Sequence, residues 1–260
     1  MTKRMGAVAI APDGTRTALS RQWVPEAPVA LEFNGLAYAV MMATPANLAD
    51  FATGFALSEG LIASADDLGE LGIAEVAEGW IVRATLAGLG IAQLTERVRA
   101  RVAESSCGLC GIENLAAVAR PLPPVAPHAA IDPDAIFAAL EELPERQELN
   151  RRTGAAHAAA WCTPSGRIAE LREDVGRHNA LDKLIGAMAR AEWELAGGFV
   201  LSTARCSYEI VEKAVRCGAT TLVTVSLPTS LAVERAHAAG LSLWVLARKD
   251  SVTLVNDGSV

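Results

Sequence analysis

The sequence predicts an α/β protein in two parts, a smaller N-terminal α+β domain over residues 1–124 and a C-terminal α/β domain over residues 125–260. Three observations predict it. Strand-like and helix-like runs alternate through the second half, which points to a sheet with at least some parallel strands. The first half carries a hairpin signal followed by helical spacing. Between them "RPLPPVAPHAAIDPD" places five prolines between Pro121 and Pro133, the composition of a stiff connector.

Each element follows from its residues. Asn34-Gly35 between two apolar runs predicts a hairpin with a type I′ turn. Thr44 and Pro45 read as the cap and first turn of a helix whose apolar residues Leu48, Phe51, Phe55 and Leu61 recur at helical spacing. "GWIVRATLAG" reads as a strand, and Thr95 to about Ser105 as a charged helix. In the second half Asp132 caps a helix to about Leu143, "HAAAWC" and "RIAELREDV" read as strands, and Asn179 to about Glu194 as a helix. "GGFVLST", "TTLVTVS" and "LSLWVLA" read as buried strands separated by helices over Ser207–Cys217 and Ser230–Ala239.

Composition excludes several function classes. Thirty acidic against twenty-three basic residues give a net charge of −7, which repels nucleic acid and anionic membrane in bulk. The apolar stretch near the N-terminus is too short for a secretory signal, and no apolar run reaches the roughly 18 residues of a membrane span. A cytoplasmic protein is expected. Five cysteines spread over 260 residues argue for reduced thiols, not a disulfide framework.

Two of those thiols stand apart. "ESSCGLCGIENL" sets Cys107 and Cys110 three positions apart among glycines, on a loop after a helix. A structural zinc site needs four ligands, and only this pair has short ligand spacing. A thioredoxin-like motif would follow a strand and usually carries proline between the cysteines. Simple packing as small hydrophobes sits poorly with Gly108 and Gly111. Covalent carriage remains, in which a mobile thiolate attacks a persulfide and its neighbour shares the sulfur by exchange. By local dipole alone, Cys110, before a helical run, is the more acidic thiol, because Cys107 follows a helix C-terminus and Glu104.

A second constellation is "LREDVGRHNALDKLIG", Leu171–Gly186, in which charged and amide side chains surround a glycine at a strand-to-helix turn. Asn179, Asp182 and Lys183 are expected on one helix face, with Arg177 and His178 at the helix N-terminus, where an anion is favoured. The plain alternative is a solvated helix start with ordinary ion pairs. His157 on its strand reads either as a core histidine or as a functional one, and Arg205 either as a phosphate contact or as a solvated loop cation.

"SSCGLCG", "DVGRHNALDK", "SYEIVEKA" and "SLPTSLAVERAHAAGLSLWVLAR" occur in this order, after "FNGLAYAVMMATPANLADFATGFALSEGLI". Together they resemble the motifs of the FdhD family of sulfur carrier proteins required for formate dehydrogenase activity. The resemblance implies a cytidine deaminase-like fold for the second domain. It implies a sulfurtransferase-type carrier that takes persulfide sulfur from a cysteine desulfurase. That sulfur passes to the bis-molybdopterin guanine dinucleotide molybdenum cofactor before the cofactor enters the formate dehydrogenase catalytic subunit. Cys107 matches the persulfide-forming cysteine and Cys110 its partner. Leu246, Ala247, Arg248, Lys249, Asp250 and Ser251 align with a cofactor-binding stretch, and Arg177, His178, Lys183, Arg205 and His157 join them as candidates. A guanine nucleotide should mimic the cofactor, no metal site is expected, and a homodimer is expected. Ala155 and Ala204 replace family glycines, and Val245-Leu246 replaces Gly-Phe. A rival reading, a zinc-dependent deaminase, lacks its residues: His157-Ala158-Ala159 has no glutamate and Ser106 replaces the proline before the thiol pair. A non-catalytic chaperone that only holds the cofactor is the third reading.

Overall fold

The computed structural model describes residues 4–102 and 121–260. The N-terminal unit begins with a two-stranded hairpin, β1 (Arg4–Ile10) and β2 (Arg16–Gln22). It continues with β3 (Ala27–Phe33), β4 (Leu36–Ala43), α1 (Leu48–Ser58), β5 (Gly72–Val76), β6 (Gly79–Ala84) and α2 (Ile91–Val102). Strands β4-β3-β6-β5 form a sheet in which only the β3–β6 pair is parallel. Asn34 and Gly35 both have positive φ, 51° and 78°, the geometry a type I′ turn requires. One face of the sheet packs on α1 through Val29, Leu31, Phe33, Phe51, Phe55 and Val82.

The C-terminal unit comprises α3 (Pro133–Arg146), α4 (Glu148–Thr153), β7 (His157–Cys162), β8 (Ile168–Asp174), α5 (Arg177–Arg190), β9 (Phe199–Ser202), α6 (Tyr208–Arg216), β10 (Thr221–Thr224), α7 (Ser230–Ala239), β11 (Ser242–Val245) and β12 (Thr253–Asn256). Its six strands run in the order β12-β11-β10-β9-β7-β8, with β9, β10 and β11 mutually parallel. Successive residues of a strand point to opposite faces, so Val200 and Leu222 meet the core beneath α5, α6 and α7, whereas Phe199, Leu201 and Val223 meet the core beneath α3. The fold is α/β, as the alternation predicts. Asp132 caps α3 by accepting from the Asp134 amide at 3.0 Å.

Thr44 does not cap a helix. α1 starts at Leu48 behind Asn47, and the polar groups of Thr44 are instead taken by the C-terminal unit. α2 begins at Ile91, earlier than its charged stretch indicates, and α5 begins at Arg177, at the turn itself. The β1–β2 hairpin, β5 and the short α4 have no counterpart in the sequence reading, because their residues carry little apolar alternation.

The two units meet where α1 crosses α5. A Cβ at Gly54 would lie 1.7 Å from the Asp182 carbonyl oxygen, and one at Gly186 would lie 1.9 Å from that of Asp50. The helices therefore touch backbone to backbone, and any side chain must part them. Gly54→Ala is expected to destabilise the protein by about 1–3 kcal/mol, the range for overpacking a tight contact, visible as a lowered denaturation midpoint. An unchanged midpoint would show that the crossing can open.

Candidate functional site

The "DVGRHNALDK" segment divides into an inward and an outward set. Asp174, at the end of β8, accepts through Oδ1 from the Gly176 amide at 2.7 Å and from Asn179 Nδ2 at 3.0 Å. Its Oδ2 accepts from Lys183 Nζ at 2.5 Å and from the Thr44 amide at 2.9 Å. Lys183 also donates to the Thr44 carbonyl at 2.9 Å, Asn179 donates to the Met42 carbonyl at 2.9 Å, and the Val175 amide donates to Thr44 Oγ1 at 3.1 Å. The corner between β4 and α1 is thus fastened to the start of α5.

Lys183 is 0% exposed. Burial pushes its pKa below the ordinary ammonium value, against the pull of Asp174. This corrects its expected role: a phosphate cannot reach Lys183, whose ammonium is consumed within the protein. The expectation of one shared face is corrected too. Asn179 and Lys183 face Thr44, whereas Asp182 turns to Ser58 Oγ at 2.7 Å and Lys213 Nζ at 3.0 Å. Burial raises the Asp182 pKa, while Lys213, despite its own burial, is raised by Asp182 and Glu59. A third clamp joins Asp50 of α1 to Arg172 at 2.8 Å and to Arg190.

The outward set lies along one edge of the six-stranded sheet. The register pairs His157 with Asp174 and Ala159 with Ser202, so the start of β7, the end of β8 and the C-terminal ends of β9, β10 and β11 share that edge. In open α/β sheets ligands bind outside the carboxyl ends of parallel strands. There His157 Nδ1 is 3.4 Å from Thr203 Oγ1, and His178 Nε2 is 3.1 Å from Glu209 Oε2 at the start of α6. The latter approach suits an ion pair when the ring is protonated but is not aligned as a hydrogen bond, and Arg177 Nε is buried with no partner among the described residues. Burial, then the neighbouring Arg177 and His178, holds His157 below the usual imidazole pKa, which favours its neutral ring. His178 and burial act oppositely on Glu209, and His178 prevails, keeping its carboxyl below the ordinary value.

Arg205 lies exposed on the loop between β9 and α6. Leu246–Ser251 forms the turn after β11, with Arg248, Lys249, Asp250 and Ser251 exposed and Ala247 buried. The Arg248 amide donates to the Ser251 carbonyl at 2.8 Å, and Leu246 itself adopts φ 50°, a left-handed conformation strained for a branched side chain. Three strand spacings separate β11 from β7, roughly 14 Å, so the two groups border one edge without touching. Ala155 and Ala204 have no positive φ, so neither replacement strains the backbone. Thr203 and Glu209 complete the cluster and were not singled out from sequence; the signal available was their place in and beside "SYEIVEKA". Cys107 and Cys110 lie outside the described residues.

The arrangement offers a cation-rich edge with one neutral imidazole and one orphaned guanidinium donor, suited to phosphate or another polyanionic group. No helix among the described residues is long and apolar enough to cross a membrane. The FdhD/NarQ family model matches residues 24–258. A sulfur carrier protein FdhD of Variovorax paradoxus is 46% identical over 236 residues, covering 90% of this chain and 85% of that protein. One of Cupriavidus necator is 44% identical over 240 residues, covering 92% of this chain and 81% of that protein. A crystal structure from Desulfotalea psychrophila, assigned as a formate dehydrogenase accessory protein, superposes with a TM-score of 0.77 at 22% identity, covering 100% of this chain and 99% of that one. With a family model spanning nearly its whole length and such relatives alongside, the chain belongs to the FdhD/NarQ family.

Proposed function

We propose that the protein is a cytoplasmic sulfur carrier for formate dehydrogenase maturation, taking sulfur from a cysteine desulfurase and passing it to the bis-molybdopterin guanine dinucleotide molybdenum cofactor before that cofactor enters the catalytic subunit. It acts as a homodimer. The Cys107 thiolate attacks the terminal sulfur of the desulfurase persulfide; a new S–S bond forms, the donor's S–S bond breaks, and the donor cysteine leaves as thiolate. Cys110 shares or resolves the sulfur. The cofactor is the cargo. Its phosphates meet Arg177, His178, Arg205, Arg248 and Lys249 along the sheet edge, with His157 neutral between them, while Lys183 takes no part.

The single observation that carries the cargo assignment is the buried Arg177 Nε, without a partner among the described residues, at the carboxyl edge of the parallel strands. A guanidinium donor left open there fits a charge-assisted bond to an anion. GDP is expected to protect residues 203–209 and 246–251 from hydrogen exchange. Arg177→Ala should weaken GDP about ten- to a hundredfold, the loss of one charge-assisted hydrogen bond worth roughly 1.5–3 kcal/mol. Incubation with a cysteine desulfurase and cysteine should add reductant-labile sulfur atoms in intact mass spectra. Absence of protection sinks the cargo site, and absence of added sulfur sinks the carrier reading.

A further inference from the structure

Two apolar surfaces of the chain lack a partner among the described residues. The first is the β1–β2 hairpin, a sheet of two strands only. Its register puts Val8 opposite Ala18 and Ile10 opposite Arg16 on one face, and Val8 and Ile10 are 57% and 63% exposed. Such a ribbon is at best marginally stable in water without something to pack on. Among the described residues, α4 is the helix that packs on β2 most extensively.

The second is the outer face of the β4-β3-β6-β5 sheet, away from α1. There Pro28 pairs with Met42, and Ala30 with Val40 and Ile81. Val40 is 66% exposed and Met42 50%, on a face that solvated antiparallel sheets normally make polar.

Charge sorts the two surfaces. Residues 4–22 hold three arginines against one aspartate. On the outer face itself Glu32 pairs with Arg83, while Glu26, Glu70 and Glu78 are exposed just beyond the strand ends. Sizes agree as well: a seven-residue strand spans about 23 Å, and the sheet's own β3 and β4 have 7 and 8 residues.

We infer that the β1–β2 hairpin of one copy lies across the outer face of the β4-β3-β6-β5 sheet of a second copy, with Val8 and Ile10 against Val40 and Met42, in a reciprocal exchange of arms. The inference rests on the homodimer proposed above and names its surface. A two-fold exchange uses the same two patches on both copies, so it closes and leaves neither exposed. Basic arm against the acidic rim of the sheet favours this pairing over arm on arm or sheet on sheet.

The full chain is to be measured by sedimentation against concentration. The wild type should be a dimer whose affinity falls as salt rises, because exposed charges are screened. Val8→Asp with Ile10→Asp, and separately Val40→Asp with Met42→Asp, should each weaken dimerisation at least about tenfold, because every junction then forgoes the burial of apolar side chains. At concentrations low enough for every form to be monomeric, unfolding midpoints should hold, since all four side chains are exposed in the single chain. An equimolar mixture of the two variants should regain dimer, because one of its two junctions is intact.

A wild type that stays monomeric overturns both the dimer and its surface. A dimer indifferent to the hairpin variant overturns the exchange and leaves the dimer standing. Sheet variants that lower the midpoint without changing mass would show that the chain covers this face itself, and would overturn the exchange too.

Discussion

Lys183→Ala is expected to cost about 3–5 kcal/mol, the usual penalty for stranding one member of a buried ion pair. Asp174 would be left at 0% exposure with its ammonium donor gone, and the Thr44 carbonyl would lose a donor at the same stroke. Against a total stability of about 5–15 kcal/mol, that is between a fifth and the whole of the folding margin. The partner experiment is the double change Asp174→Asn with Lys183→Met, which removes both charges and keeps most of the volume. It should recover a large part of the loss, because a buried pair replaced whole is often close to neutral. Denaturant midpoints with unchanged slope measure both. A loss below about 1 kcal/mol for Lys183→Ala, the level of a surface pair, would show that water reaches the clamp.

Cys107→Ser is expected to do the opposite, abolishing the proposed sulfur transfer and with it formate dehydrogenase activation, while leaving the unfolding midpoint unchanged. The remaining thiols of the C-terminal unit cannot substitute. Cys162 and Cys206 are fully buried and Cys217 partly so. Burial pushes the Cys206 and Cys217 thiols up to about 12 and Cys162 higher still, so the reactive thiolate is scarce at neutral pH. Native alkylation should therefore fall on Cys107 and Cys110 alone, with Cys110 the faster near neutral pH if the local dipole governs. Full enzyme activation by the Cys107→Ser chain would rule out carriage through that residue.

Much of the fold was legible where local chemistry decides it. Asn34-Gly35 specified its turn, Asp132 its cap, and the helix over Ser230–Ala239 was read to the residue. Thr44 was misread because its helix-cap chemistry is local and its actual partners are not: Asp174 and Val175 lie 130 and 131 positions away. Lys183 was misassigned for the same reason. Its residue type and helical position suit a phosphate, and nothing in the neighbouring sequence shows that a carbonyl 139 positions away consumes it. By contrast the placement of Arg177, His178, Arg205 and the 246–251 turn along one edge follows from the fold class alone, because strand-end loops of an α/β sheet collect there whatever the details of packing. That His157 and Glu209 would face Arg177 and His178 depended on strand register, which a single sequence does not carry.

The α1–α5 crossing bears on how the molecule can be taken apart. Each unit has its own apolar core, and on that count either half is a candidate for separate expression. Their shared boundary argues otherwise. Splitting it would bare two helix backbones at Gly54 and Gly186 and turn Asp174, Asp182 and Lys183, all at most 1% exposed, toward solvent without their mates. The apolar cores on the two sides of this crossing are therefore expected to melt in a single step, and a surface on the first half is held in fixed register with the strand-end edge of the second. A partner that grips the N-terminal sheet would thereby be set in position relative to that edge.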